Sequence, residues 1–407
     1  MFFLKSKIKE KTNVVISLCF LIFICQVCIW PLWFLGYRIS FILIFILFLY
    51  TKKAILQKFQ SSSRLLLPFL LFFIYYILYF GVSGDFQGSS VLYFLLFMIV
   101  VSLSHEEKIR ILQIITVYFA TIIAISFPLW FLHTFGLINL PLFSVIDLQS
   151  MKGLDESVLM GNFFFFVQNL QTIDAPRFYS MFDEPGVVGT VGAFILLAQK
   201  YNFSKWYNVV ILIGCIFTYS FAFYVLTSLG YVLCLFLDKK KSFKSLLFIL
   251  LSIPLIFVVM KNNSTFEAVL LSKWDNGLEE SLNSRTSDKI GYYIEKALDT
   301  GDIFLGYGNS FTSTNLNQDG ASYKIFLLSK GLIGCVILFF IYYSIIEKCT
   351  KMSLLILFMY CVSFSQRAEA LSAYQIILYT LSIANVEYKK SSIKIVSKKY
   401  VANNKNV

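Results

Sequence analysis

The sequence predicts an all-α, polytopic integral membrane protein with about twelve transmembrane helices and two long external loops. Two observations carry this expectation. Of the 407 residues, 58% are hydrophobic and only 14% are charged, against about 25% charged in a soluble domain. The apolar residues also fall in runs of roughly 15 to 25, the length a helix needs to cross the hydrocarbon core. A β-barrel would show alternating ten-residue segments instead, and the chain does not alternate.

The runs can be taken in order. Five lie in the N-terminal part, 1–132, near 13–35, 37–51, 65–82, 89–104 and 111–132. The first is too long for a secretory signal and has no small-residue cleavage site. Four more lie within 185–260, near 185–200, 207–221, 222–237 and 245–260. Tyr219-Ser220 is the only polar hint of a turn inside the middle pair. The last three, near 323–346, 352–366 and 370–386, lie within 323–388, and a basic tail occupies 389–407. Pro31, Pro68, Pro128 and Pro254 fall inside runs, as membrane helices allow when neighbours satisfy the freed carbonyls.

Lys and Arg set the expected orientation. Counting termini and short connections on one side, 24 of the 35 cations lie there with only six of the 23 acids. That side is expected to be cytosolic and to hold both termini. The net charge of +12 then reflects topology and anionic lipid, not nucleic acid. Two external loops remain, 133–184 and 261–322. Phe163-Phe164-Phe165-Phe166-Val167 and the stretch 137–146 are expected to lie in the interface or re-enter the bilayer. All eight cysteines but Cys349 lie in apolar runs, so no disulfide framework is expected. Cys25-x-x-Cys28 has no second ligand pair to make a metal site.

Candidate chemistry concentrates in the long loops, where function tends to lie. Arg177-Phe-Tyr-Ser-Met-Phe-Asp-Glu-Pro-Gly186 leads into the run at 185. Pro185 suits a first helical position and makes Glu184 its N-cap. Asp183 and Glu184 would also complement the helix dipole. Read functionally, Arg177 beside free backbone N–H groups makes an anion site. In the second loop, Ile290, Tyr293, Ile294, Ala297 and Leu298 follow the spacing of an amphipathic helix. Ser287 can cap that helix, Gly301 can end it, and Arg285 precedes it. Such a helix could equally lie on the membrane with Arg285 solvated. Gly306-Tyr307-Gly308 suits a tight turn better than an ion filter. Arg367 and Glu369 occupy the last external turn, where a snorkelling pair is the simpler reading. His105 and His133 are the only histidines, no metal-ligand cluster is apparent, and neither a metal nor a cofactor is expected.

These segments resemble the bacterial O-antigen polymerase and ligase superfamily. The resemblance rests on Arg177 to Gly186, on Ser284-Arg285-Thr286 through Phe304-Leu-Gly-Tyr-Gly308, and on Ser322 through Gly331-Leu-Ile-Gly334. It covers roughly 175–335, by order and loop placement more than by any one motif. Ligases of that superfamily carry a His shortly before the Gly-Leu-Ile-Gly stretch. Here Asp319-Gly-Ala-Ser322 occupies the region, which favours a polymerase.

The resemblance implies a metal-independent glycosyltransferase of the cytoplasmic membrane. A glycan on polyprenyl diphosphate would be moved onto the terminal sugar of another lipid-linked repeat unit at the external face. Arg177 and Arg285 would hold diphosphate oxygens, with Arg367 as a weaker third. Glu184 or Asp183 would activate the attacking hydroxyl, and Tyr179 and Glu369 would contact substrate. Partners would be the lipid-linked oligosaccharide, membrane lipid and a chain-length regulator protein. A ligase, a flippase or transporter for lipid-linked sugars, and a structural subunit are the alternative readings.

Overall fold

The computed structural model describes residues 2–27, 36–61, 65–83, 88–147, 157–171, 177–182, 184–237, 288–316, 323–366 and 372–387. The first five helices are α1 (Phe2–Val27), α2 (Gly36–Ser61), α3 (Leu66–Ser83), α4 (Gly88–Ser102) and α5 (His105–Thr134). Strands β1 (Ser144–Asp147), β2 (Leu159–Asn162) and β3 (Val167–Asn169) follow. Then come α6 (Pro185–Ala198), α7 (Trp206–Ile216) and α8 (Phe221–Leu237). The remaining helices are α9 (Asp288–Thr300), α10 (Asn309–Asn315), α11 (Tyr323–Ser344), α12 (Lys351–Gln366) and α13 (Ala373–Glu387). A described helix overlaps each apolar run except 245–260, which lies outside the described residues, as does most of the second loop before α9.

Among the described residues, three helical stretches are long and apolar enough to cross a membrane: Ile39–Gln60, His105–Thr134 and Tyr323–Ser344. Shorter apolar helices surround them. Several outward faces are apolar as well as inward ones. Leu66, Leu70, Phe73 and Ile77 of α3, and Val336, Phe339 and Phe340 of α11, are exposed. Water would penalise such continuous apolar surface, and lipid would not, so the fold is consistent with a helical membrane protein.

The longest helix, α5, begins earlier than the apolar run suggests. Ser104 and Glu107 form a capping box, in which each side chain accepts a hydrogen bond from the other's backbone N–H. That box extends the helix through the polar stretch before Ile111. On its buried side α5 meets α1, α7 and α13. At the same end, Lys58 Nζ donates to the carbonyl of Leu103 at 3.0 Å. Lys108 Nζ donates to the carbonyl of Val101 at 2.9 Å. Both lysines thus satisfy carbonyls left over at the end of α4.

Two expectations need correction. The fold is mostly helical as expected, but part of the first loop is a small antiparallel sheet in the order β1-β2-β3. Within that sheet the Phe163–Phe166 stretch is the tight turn between β2 and β3. Asn162 Oδ1 accepts from the Phe164 N–H, and the Phe163 N–H donates to the Phe166 carbonyl. This turn chemistry overrides the apolar run. Phe166 is buried, whereas Phe164 and Phe165 are exposed. The second correction concerns 207–221. Helix α7 ends at Ile216, and its 11 residues span only about 16 Å, roughly half a hydrocarbon core.

Candidate functional site

The segment 177–182 is set into the protein rather than hung from a loop. Ser180 shares a buried hydrogen bond with Ser126 of α5, the two hydroxyls being 2.9 Å apart. Its carbonyl accepts from the Val167 N–H of β3. Phe178 is fully buried, against Phe127 and Trp130 of α5. Ser126 lies eight residues before the end of α5, so the segment is recessed by about 12 Å from that helix end. Ser180 and Tyr219, on the turn facing it, both have positive φ, conformations that cost energy and persist where surrounding contacts over-determine them.

Arg177 closes the turn between α7 and α8. Its Nε donates to the Thr218 carbonyl at 2.9 Å and its Nη2 to the Tyr219 carbonyl at 3.2 Å. Thr218 Oγ1 donates to the Cys215 carbonyl, and Tyr224 Oη donates to that of Ile216. Past the end of α7 a short turn follows, with the Thr218 and Tyr219 N–H groups donating to the Cys215 and Ile216 carbonyls, and side chains hold all four carbonyls from Cys215, Ile216, Thr218 and Tyr219 as well. At least two of the five guanidinium N–H donors are therefore committed to the fold. Glu184 is the N-cap of α6 with Pro185 at the first helical position, as the sequence suggests, and its backbone is extended. Its carboxylate makes no capping bond to the first turn. Tyr179 packs beside Met160 and Val167 under the sheet. Asp183, Arg285, Arg367 and Glu369 lie outside the described residues.

The other two motif segments meet each other. Helix α9 forms as its spacing predicts, and Gly301 ends it with φ 81°. Its apolar face does not simply lie on a membrane. Ile290 and Ala297 are buried with Ile303, Leu316 and Leu328, joining α9 to the first half of α11; Leu298 alone of the predicted stripe is exposed. The loop 303–308 then wedges into a break in α11. At Gly331 the backbone leaves the helical region, with φ 63° and ψ −178°. Tyr307 and Gly308 donate their N–H groups to the carbonyls of Leu328 and Ser329, at 2.7 and 3.0 Å. Leu332 and Ile333 donate theirs to the carbonyls of Ile303 and Phe304, at 2.9 and 3.0 Å. The loop thus takes up polar groups on both sides of the break, the condition for an interrupted helix at membrane depth. Lys330, at the break, is 9% exposed.

No family model, curated protein or solved structure matches this chain. The site must be read from its own geometry. What that geometry offers is a recessed, hydrogen-bonded arginine beside a helix N-terminus, and a buried lysine at an interrupted helix. The sequence marks the arginine and the glycines as features but not the break that Gly306 and Gly331 create together. One further group escaped sequence reading, which expected no metal-ligand cluster. His105, Glu347 and Glu387 each bring a ligand atom to within 4.8 Å of the others. No spacing rule links residues so far apart in the chain.

Proposed function

We propose that the protein polymerises lipid-linked oligosaccharide repeat units, as O-antigen, capsule or exopolysaccharide, at the external face of a bacterial cytoplasmic membrane. A glycan leaves its polyprenyl diphosphate and joins the terminal hydroxyl of a second lipid-linked repeat. The observation that carries this reading is the form of the resembling segments. Arg177 to Gly186 is a recessed segment ending at a helix N-terminus, and Phe304 to Gly308 is a wedge inside a broken membrane-length helix. Such preorganised backbone suits the charge that develops on a departing diphosphate. In this reading Arg177 and Arg285 face the diphosphate, with Arg367 as a weaker third. Glu184 or Asp183 takes the proton of the attacking hydroxyl, and Tyr179 and Glu369 contact sugar. No metal or cofactor takes part. Both termini face the cytosol, and a chain-length regulator is a fitting partner.

The interrupted α11 with its buried lysine favours one second reading, a flippase or transporter for lipid-linked sugars, since broken helices and mid-membrane charges mark such proteins. Deleting the gene separates the two. Loss of a polymerase leaves single repeats on the external leaflet, or a surface glycan one repeat long where a ligase accepts single repeats. Loss of a flippase confines repeats to the cytosolic leaflet. Glycan length and leaflet location, measured together, decide. Long lipid-linked chains in the deletion strain would refute the polymerase reading and point to a ligase.

A further inference from the structure

The fold gathers three potential ligands at the end of the molecule far from Arg177. His105 opens α5, Glu347 lies in the turn between α11 and α12, and Glu387 closes α13. The 21 residues of α5 between His105 and Ser126 separate this cluster from the Ser126–Ser180 contact by about 32 Å, roughly the thickness of a hydrocarbon core.

Three observations bear on what the cluster holds. The His105 Nε2 to Glu347 Oε2 separation is 3.3 Å. That is long for a charge-assisted hydrogen bond, which runs near 2.7–2.9 Å. It matches the edge of a tetrahedral ion, whose ligand atoms lie about 3.3–3.4 Å apart when each bond is about 2.0–2.1 Å. Glu387 is only 2% exposed, and its Oε2 has no hydrogen-bond partner. Its other oxygen accepts from the Lys348 N–H at 3.0 Å, which fixes the carboxylate's position. His105 Nδ1 is likewise buried without a partner. A buried carboxylate oxygen left unsatisfied is costly, and a bound cation would relieve it.

We propose that His105, Glu347 and Glu387 bind a divalent cation of the zinc class, stapling the start of α5, the α11–α12 turn and the end of α13 together. One imidazole and two carboxylates fit a borderline ion better than magnesium, which prefers all-oxygen ligands and its own waters. Three protein ligands leave a fourth position for water. Lys58, Lys108 and Glu107 are the charged neighbours. Lys348, which follows Glu347, is a further cation beside Glu387, so with Glu347 and Glu387 the charged groups balance at three carboxylates to three ammoniums. What favours a cation is therefore the ligand set and the unsatisfied carboxylate oxygen. The ion is structural, and its site is independent of the glycan chemistry proposed above.

The test uses the full chain, purified in detergent through a tag without histidines, stripped with EDTA and titrated with Zn²⁺ alone. One equivalent should remain bound after gel filtration, and the unfolding midpoint should rise and fall back on adding EDTA. Mg²⁺ at the same concentration should leave the midpoint unchanged. Glu387→Gln and His105→Asn should each weaken zinc binding by at least about tenfold, since even outer-shell partners of a metal ligand are worth about 10- to 100-fold. Glu106→Gln, at an exposed neighbour, should bind as the unaltered chain does. Failure of the unaltered chain to hold stoichiometric zinc overturns the site, whatever the variants do. So does equal binding by Glu387→Gln.

Discussion

Arg177 serves the fold, and under the proposed function it serves the site as well. Its donors hold the Thr218 and Tyr219 carbonyls, so its removal strips charge-assisted bonds worth about 1.5–3 kcal/mol from the α7–α8 turn. Arg177→Ala is therefore expected to lower the unfolding midpoint of the purified chain as well as to cut polymer formation by about tenfold or more, since tenfold in rate needs about 1.4 kcal/mol. Arg177→Lys should rescue only in part, because an ammonium cannot present the planar fork to two carbonyls. Thermal unfolding and glycan length are measured on the same preparations. An Ala variant with unchanged stability would mean that the two carbonyl bonds contribute nothing. An Ala variant of full activity would remove the residue from the catalytic proposal.

Among the elements, the broken α11 is the feature most exposed to single substitutions. Gly331 has a backbone conformation that is essentially reserved for glycine, and a side chain there would run into the carbonyl of Phe304. A Cβ on Gly306 would lie 2.7 Å from the Gly331 nitrogen and 2.8 Å from that of Lys330. Gly331→Ala and Gly306→Ala should each destabilise the chain by about 1–3 kcal/mol and reduce its activity. Gly291 supplies the contrast, because it lies inside α9 and a methyl group added there would meet nothing within 4 Å. Gly291→Ala is expected to stabilise by about 0.5–1 kcal/mol through helix propensity alone. Unfolding midpoints of the three variants check the ranking; a neutral Gly331→Ala would show that the wedge does not hold the break.

At the scale of the whole molecule, orientation is the property everything else depends on. The cation asymmetry predicts both long loops outside and both termini inside. In a cysteine-free background, single cysteines at Ser150 and Asn317 should react with an impermeant thiol reagent on intact cells, or on spheroplasts. A cysteine at Ser242 should not. Labelling at Ser242 with none at Asn317 would invert the molecule, and the proposed diphosphate site would then face the cytosol.

Much of this architecture follows from the chain alone. Long apolar runs dictate membrane-length helices because an unpaired peptide group in lipid costs too much for any other backbone there. The amphipathic spacing from Ile290 to Ala297 gives α9, and Glu184-Pro185 gives the start of α6, because both signals are local. Tertiary structure decides what local signals cannot carry. The turn between α7 and α8 is held by Arg177, which arrives from another part of the chain. The sheet in the first loop depends on an Asn162 turn and on strand partners many residues apart. The break in α11 exists because a loop earlier in the chain supplies its hydrogen bonds, Tyr307 to Leu328 at one side and Leu332 to Ile303 at the other. His105, Glu347 and Glu387 become neighbours only when three helix ends converge, since ligand geometry is a property of space and not of spacing.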